Sequence, residues 1–460
     1  MSALATHCRK VFELKNFAQQ YDWGKIGSSS LVGRLFDAQK SIEVVHSGGS
    51  APAVGSAIKE SEAYAELWIG THPSGPSTLL GNSTTTLQQL IDQDPATHLG
   101  GRYDPKSPTP PSLPFLLKVL SIKKVLSIQA HPDKALAAQL HASNPAMYKD
   151  CNHKPEMAIA LTPFQAMAGF RPVHEILRHL DLYPEFAAAL DHKAVESLRS
   201  ECRRVVVAAD FDAGVKSSLR AVFTSYMSVG DTPEFKASLA SLVSRLEDAG
   251  SRALAAETLG PLDSLLLDFH RQFPGDSGVL SPLLLNVVDL VPGQSLFVPS
   301  NSPHAYISGD IVECMAASDN VVRCGLTPKF KDVPVLCDML SYNAGHAVLD
   351  EDRKILPDGS TRYRPPVDDF EVVIVDLKNE GDTCAAEPVD CGSVFLCLGG
   401  SGELSCECAD DGGAAGGGVL QTVKLLFGAS VFVSANGRVT IEAGEGGVKV
   451  ARAQGNMGGV

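Results

Sequence analysis

The apolar residues of this chain change period twice. From about Val173 to Arg252 they recur at helical spacing, in His174-Glu175-Ile176-Leu177-Arg178-His179-Leu180, Ala194 to Val207, Gly214 to Ser228 and Pro233 to Asp248. On either side the runs are short, alternating or wholly apolar, and broken by Gly and Pro, as in Phe115-Leu116-Leu117-Lys118-Val119-Leu120 and Leu296-Phe297-Val298. A helical stretch of this length cannot belong to the sheets that flank it. The pattern therefore predicts a mainly β protein with an all-α insertion, which serves as a structural block or a lid.

From Leu283 to Tyr306 the chain reads as strand, Gly turn, short strand and a turn that delivers His304. That order is the habit of cupin and jelly-roll barrels. Val372-Val373-Ile374-Val375, Val394 to Leu398 and Val431-Phe432-Val433 predict further strands. At 460 residues the chain exceeds one core. The expected division is residues 1–165 with 266–335 as a metal-bearing cupin domain, 166–265 as a helical domain, and 336–460 as a C-terminal cupin-like β domain. Flexible loops are expected at His46 to Gly55 and Ala409 to Gly418.

Composition narrows the functions open to such a chain. A formal net charge of −14 argues against a general nucleic-acid or membrane-surface binder. Basic residues that hold an anion must then be gathered locally. No apolar run reaches the roughly 18 residues of a membrane span. Met1 to Lys15 lacks a signal-peptide core, so the expected compartment is the cytoplasm. The 11 cysteines lack paired metal spacing and read as reduced thiols, with Cys406-Glu407-Cys408 placed in a loop.

Leu126 to Asp133 alternates on the strand period. Leu126, Ile128 and Ala130 face one way, and Ser127, Gln129 and His131 the other. Asp133 caps a short helix from Lys134 to His141. His153-Lys154-Pro155-Glu156 adds an amine and a carboxylate, and Pro303-His304-Ala305-Tyr306 a second imidazole. Gln129, His131, Glu156 and His304 together suit zinc or iron. Such a centre can act as a Lewis acid on a sugar or carbonyl oxygen. The same histidines and carboxylate also match the facial triad of an iron oxygenase, or a cupin that only binds sugar. Arg323 and Lys329, with Lys118, Ser127 and Lys154, make a basic pocket in an acidic protein, which suits a phosphate dianion. The combination points to a phosphorylated sugar.

These segments resemble the type I phosphomannose isomerase family of the cupin superfamily. The matching stretches are Tyr21-Asp22-Trp23-Gly24, Ala65 to Pro73, Leu126 to Asp133, His153-Lys154-Pro155-Glu156, Pro303-His304-Ala305-Tyr306 and Glu313 to Phe330. The match is looser at Val394 to Gly402. The resemblance implies one zinc ion on Gln129, His131, Glu156 and His304, and interconversion of mannose 6-phosphate and fructose 6-phosphate. It implies a catalytic Arg323 and phosphate contacts at Ser127, Lys118 and Lys329. The reaction moves a proton between C1 and C2 through an enediol and needs a base. Asp319, Glu313, Lys154 and a water on the zinc are the candidates, and Asp319 serves equally well as a carboxylate that orients Arg323. Tyr306 is expected to contact the sugar and Trp23 to wall the pocket. A phosphorylated hexose is the expected partner, without nucleic acid or membrane, and the chain is expected to be a monomer.

Overall fold

The computed structural model describes residues 9–46, 58–107, 109–204, 213–230, 232–253, 260–351, 353–408 and 419–456. The loop expected after His46 and the run 409–418 lie outside the described residues. Two large sheets dominate, and a helical block is inserted between strands of one of them, so the protein is mainly β with an all-α insertion.

The block holds helices Val173–Leu182, Pro184–Ala189, His192–Arg204, Ala213–Val229, Pro233–Ala253 and Pro261–Gln272. Three of them start on proline, whose fixed φ and missing N–H suit a first turn. The last continues the helical run to Gln272, beyond the stretch legible from periodicity. Its Leu265-Leu266-Leu267 core is a continuous apolar run that shows no period of its own. No helix among the described residues is long and apolar enough to cross a membrane.

The first sheet carries the chemistry. Its main path runs Leu285–Leu290, Phe164–Phe170, His304–Ala316, Phe115–Ile122, Glu66–Ile69 and Phe17–Gln19. Glu156–Ala160, Ser295–Val298, Ile128–Ala130 and Val322–Gly325 join off that path. His304–Ala316 is its spine. The early part pairs with Phe164–Phe170 and, at His304, with Gln129. The later part pairs with Phe115–Ile122 and Glu156–Ala160. Between them lies a bulge, because Gln165 opposes Ser308 while Ala166 opposes Tyr306, leaving Ile307 extra. One extra residue inverts which side chains face which way. His304 and Tyr306 before the bulge, and Glu313 and Met315 after it, therefore turn to the same side. Gly309 follows at φ +122, where a Cβ would sit 2.6 Å from the Pro163 carbonyl oxygen; only glycine fits there.

The strand Ile128–Ala130 is shorter than the alternation over 126–133 predicts. Leu126 keeps one ladder-like bond, from its N–H to the Tyr306 carbonyl at 2.9 Å, and Ser127 lies outside the strand. Ile128 and Ala130 are fully buried in a core shared with Ile176 and Phe223 of the helical block and with Leu336. Fully burying an apolar side chain the size of Ile128 stabilises by roughly 1.5–3 kcal/mol. That anchors the back of the strand and leaves its polar face free. Asp133 does cap the next helix, Lys134–Ser143, accepting from the Leu136 N–H.

The second sheet runs Arg353–Ile355, Thr361–Tyr363, Glu371–Leu377, Arg438–Gln454, Ser393–Cys408, Ser430–Val433, Val11–Lys15, Thr78–Leu79 and Asn82–Thr86. Val11–Lys15 thus stands between Ser430–Val433 and Thr78–Leu79. Cys406 and Cys408 lie in a strand, not a loop. Leu404 and Cys406 are buried and Glu403 and Glu407 exposed, a period-two pattern that the Gly- and Asp-rich neighbours obscured.

Candidate metal centre

Three buried side chains meet here: His131 just after the strand Ile128–Ala130, Glu156 at the start of Glu156–Ala160 and His304 at the start of the spine strand. His131, Glu156 and His304 are 1%, 2% and 1% exposed. One ligand atom from each lies within 4.8 Å of the others. Hydrogen bonding identifies those atoms. His131 Nδ1 is 2.6 Å from the Asn320 carbonyl oxygen, and His304 Nδ1 is 3.1 Å from that of Ser302. A carbonyl only accepts, so each Nδ1 carries a hydrogen. In that tautomer each ring presents a bare Nε2, at 3.3 and 3.2 Å from the Glu156 oxygens. Both Nε2 atoms are buried without a hydrogen-bond partner. Burial pushes the His131 pKa down to about 4, which keeps the ring neutral near pH 7. Electron pairs that converge in a dry space repel unless a cation stands among them. These residues fit a divalent metal ion. Gln129 lies directly across the ladder from both His304 and Arg323, and Ser127 Oγ donates to its Oε1 at 3.5 Å.

Beside this centre runs a row of charged residues. Glu313 pairs across the sheet with Lys118, and Lys118 with Trp68. Lys118 Nζ is 2.9 Å from Glu313 and 3.4 Å from Glu66. Trp68 Nε1 donates to Glu66 at 2.6 Å, and Lys154 Nζ is 3.2 Å from Glu156. Burial disfavours the Lys118 charge, but Glu313 and Glu66 outweigh it and raise its pKa. Burial raises the Glu313 carboxyl against the pull of Lys118, with Glu156 and Glu66 adding to the rise. Burial also works to raise Glu156, yet the Lys154 ammonium beside it pulls the other way, and the carboxylate stands well below the usual range.

The row corrects one expectation. Lys118 does not stand free for a phosphate, because its ammonium is buried and already neutralised by two carboxylates. A dianion placed there would face Glu66 and Glu313.

The row opens on a cleft of about 630 Å³. Gln129, Glu156, Lys154, Glu313, Lys118 and Tyr306 line its floor side, and Ser127, Trp23, Asp319, Arg323 and Lys329 also line it. His131 and His304 are not among the lining residues; they reach the cleft through Glu156. The Tyr306 hydroxyl is buried without a hydrogen-bond partner, and burial, with Glu313 and Glu156 nearby, raises its pKa far above normal. The raised pKa keeps it an O–H donor. Trp23 stacks on Tyr21 with ring centroids 5.8 Å apart. The Arg323 guanidinium is half-buried and makes no ion pair among the described residues. Asp319 does not orient it. The Asp319 carboxylate meets His72 Nε2 at 3.4 Å, and that contact lowers its pKa. His72 Nδ1 accepts from the Ser74 N–H at 3.2 Å, which leaves the ring hydrogen on Nε2.

Sequence reasoning missed Glu66, Asp150, Asn152 and Asn320. Glu66 shows no partner in the sequence, because Lys118 reaches it from another strand. Asp150 and Asn152 stand just upstream of His153-Lys154-Pro155-Glu156, and their polar alternation was the signal that could have found them.

Residues 11–173 match the family model of the phosphomannose isomerase type I catalytic domain, and residues 195–285 that of the type I helical insertion domain. The mannose-6-phosphate isomerase of Homo sapiens is 39% identical over 445 residues, covering 95% of this chain and 96% of that protein. Mannose-6-phosphate isomerase 2 of Arabidopsis thaliana is 39% identical over 410 residues, covering 87% and 86%. The solved structure of mannose 6-phosphate isomerase from Salmonella typhimurium, bound to its substrate fructose 6-phosphate and to zinc, superposes with a TM-score of 0.73 at 28% identity. The match covers 98% of this chain and all of that one.

Proposed function

This chain belongs to the type I phosphomannose isomerases, and from that premise we propose that it interconverts D-mannose 6-phosphate and D-fructose 6-phosphate with one zinc ion on Gln129, His131, Glu156 and His304. The observation that carries the reading is the convergence of two bare imidazole nitrogens and a carboxylate beside a cleft where Arg323 is uncommitted. An iron-oxygenase reading of the same donors leaves Arg323, Lys329 and the buried Glu313–Lys118 row without a task.

A bound zinc ion supplies positive charge that favours oxyanion character on the sugar. The remaining work falls to side chains. Arg323 adds its guanidinium charge to the enediolate that forms between C1 and C2. Among the candidate bases Glu313 is the best supported. Its carboxyl is raised toward the working range, as a general base requires. Asp319 is held low by His72, whereas Glu313 and Lys154 are each paired, with Lys118 and Glu156, and differ in that burial raises the Glu313 carboxyl. Tyr306 offers its O–H to a sugar oxygen. Ser127 and Lys329 hold the phosphate, and Trp23 walls the pocket.

A coupled assay with mannose 6-phosphate should show turnover that a chelator abolishes and zinc restores. Full activity in demonstrably metal-free protein would sink the metal assignment. Lys329→Ala should raise KM for the phosphorylated sugar about tenfold with kcat little changed, the worth of one charge-assisted contact near 1.4 kcal/mol. An unchanged KM would remove Lys329 from the phosphate site.

A further inference from the structure

Asp150 lies on the loop that leads to Glu156, and its carboxylate is filled largely by one turn, residues 318–320. Oδ1 accepts from Ser318 Oγ at 2.8 Å and from Asn320 Nδ2 at 3.2 Å. Oδ2 accepts from the Asp319 backbone N–H at 2.7 Å. The Asn152 backbone N–H adds a donor to Oδ1 at 2.9 Å. Asn320 Nδ2 also donates to the backbone carbonyls of Asp150 and Asn152, at 2.7 and 3.0 Å. Ser318 and Asn320 are buried, which shields their bonds to Oδ1 in part, while the Asp319 N–H bond to Oδ2 is exposed. The turn delivers the Asn320 carbonyl to His131 Nδ1 at 2.6 Å. Three residues later Arg323 pairs with Gln129 across the ladder.

We infer that Asp150 is a positioning residue for the metal centre: it holds the 318–320 turn so that the Asn320 carbonyl selects the His131 tautomer whose Nε2 is bare. Asp150 touches neither metal nor sugar and acts through that carbonyl. A carboxylate suits the task because every group it receives is a donor. An amide in its place would turn an NH2 group toward one of them. Partners that fix the tautomer and tilt of a ligating histidine also set its affinity for metal. The inference rests on the metal reading of the preceding section, and its test keeps the two apart.

The test compares Asp150→Asn with the parent in three measurements: zinc affinity by chelator competition, the visible spectrum of the cobalt-loaded protein, and thermal unfolding of the metal-free protein. The expected result is zinc binding weakened by about 10–100-fold, a changed cobalt spectrum, and metal-free unfolding close to that of the parent. Zinc affinity within about twofold of the parent, with an unchanged spectrum, overturns the positioning role. If Asp150→Asn does not fold, Ser318→Ala removes one of the donors and should weaken zinc several-fold; parental affinity there overturns the inference. A parent that binds no zinc overturns the metal reading and this role together, whereas the variant results bear on the role alone.

Discussion

Arg323→Ala is expected to lower kcat by about 10²–10³ while zinc content stays at the parental level, the usual cost of removing a fixed donor from a developing oxyanion. The expectation follows from the way the guanidinium is held. It is half-buried, burial works against its charge, and no carboxylate among the described residues relieves that. A cation kept in this condition is the one expected to take its partner from the ligand. Asp319, the nearest acid in sequence, is engaged by His72 instead. Arg323 stands across the ladder from Gln129, which fixes it relative to the metal donors without making it one. Arg323→Lys should recover only part of the rate, because an ammonium is a point charge and lacks the planar fork of donors. Measured kcat, KM and zinc content decide the matter. If zinc is lost in proportion to rate, Arg323 is structural.

The largest effect on stability should come from Glu156→Ala. Among the described residues that carboxylate is the one in contact with His131 Nε2, His304 Nε2 and Lys154 Nζ. Its removal takes the only negative donor from the metal set, and zinc binding should disappear. It also leaves the Lys154 ammonium, 8% exposed, without its partner. Breaking a buried pair from one side costs about 3–5 kcal/mol. Zinc content and the denaturant midpoint of the metal-free protein measure the two effects separately. Parental stability together with retained zinc would show that Glu156 is neither the ligand nor the counter-ion of Lys154.

The parts of the fold that could be read in the sequence were those set by local period. Ile128 and Ala130 against Gln129 and His131 follow from alternation, and the helices follow from spacing and from Pro184 and Pro233 at their starts. What escaped depends on pairing. His304 and Glu313 differ in parity, so no alternation puts them on one face; the extra Ile307 does so. Lys118 reads as a free lysine in an apolar strand because its partners, Glu66 and Glu313, arrive from two other strands. Asp319 sits four residues before Arg323 in sequence, yet the turn that Asp150 grips aims it at His72. Asn320 contributes a backbone carbonyl to His131, and no side-chain pattern can announce that.

The placement of Val11–Lys15 has a consequence for the order in which the molecule assembles. Val11 pairs with Val433 and Leu14 with Ser430. Within this sequence the strand is made long before that partner. The pairings that hold the metal donors, such as Glu156 with Met315 and Gln129 with His304, connect segments that are all made earlier. The barrel can therefore close while the chain is still growing. Phe12 and Leu14 share their core with early residues such as Leu31 and Leu67 and also with Phe432, so part of their cover waits for the last strands. Closing so long a loop comes late and slowly. Completing that pairing is then expected as a late step, at a strand that supplies none of the candidate site residues.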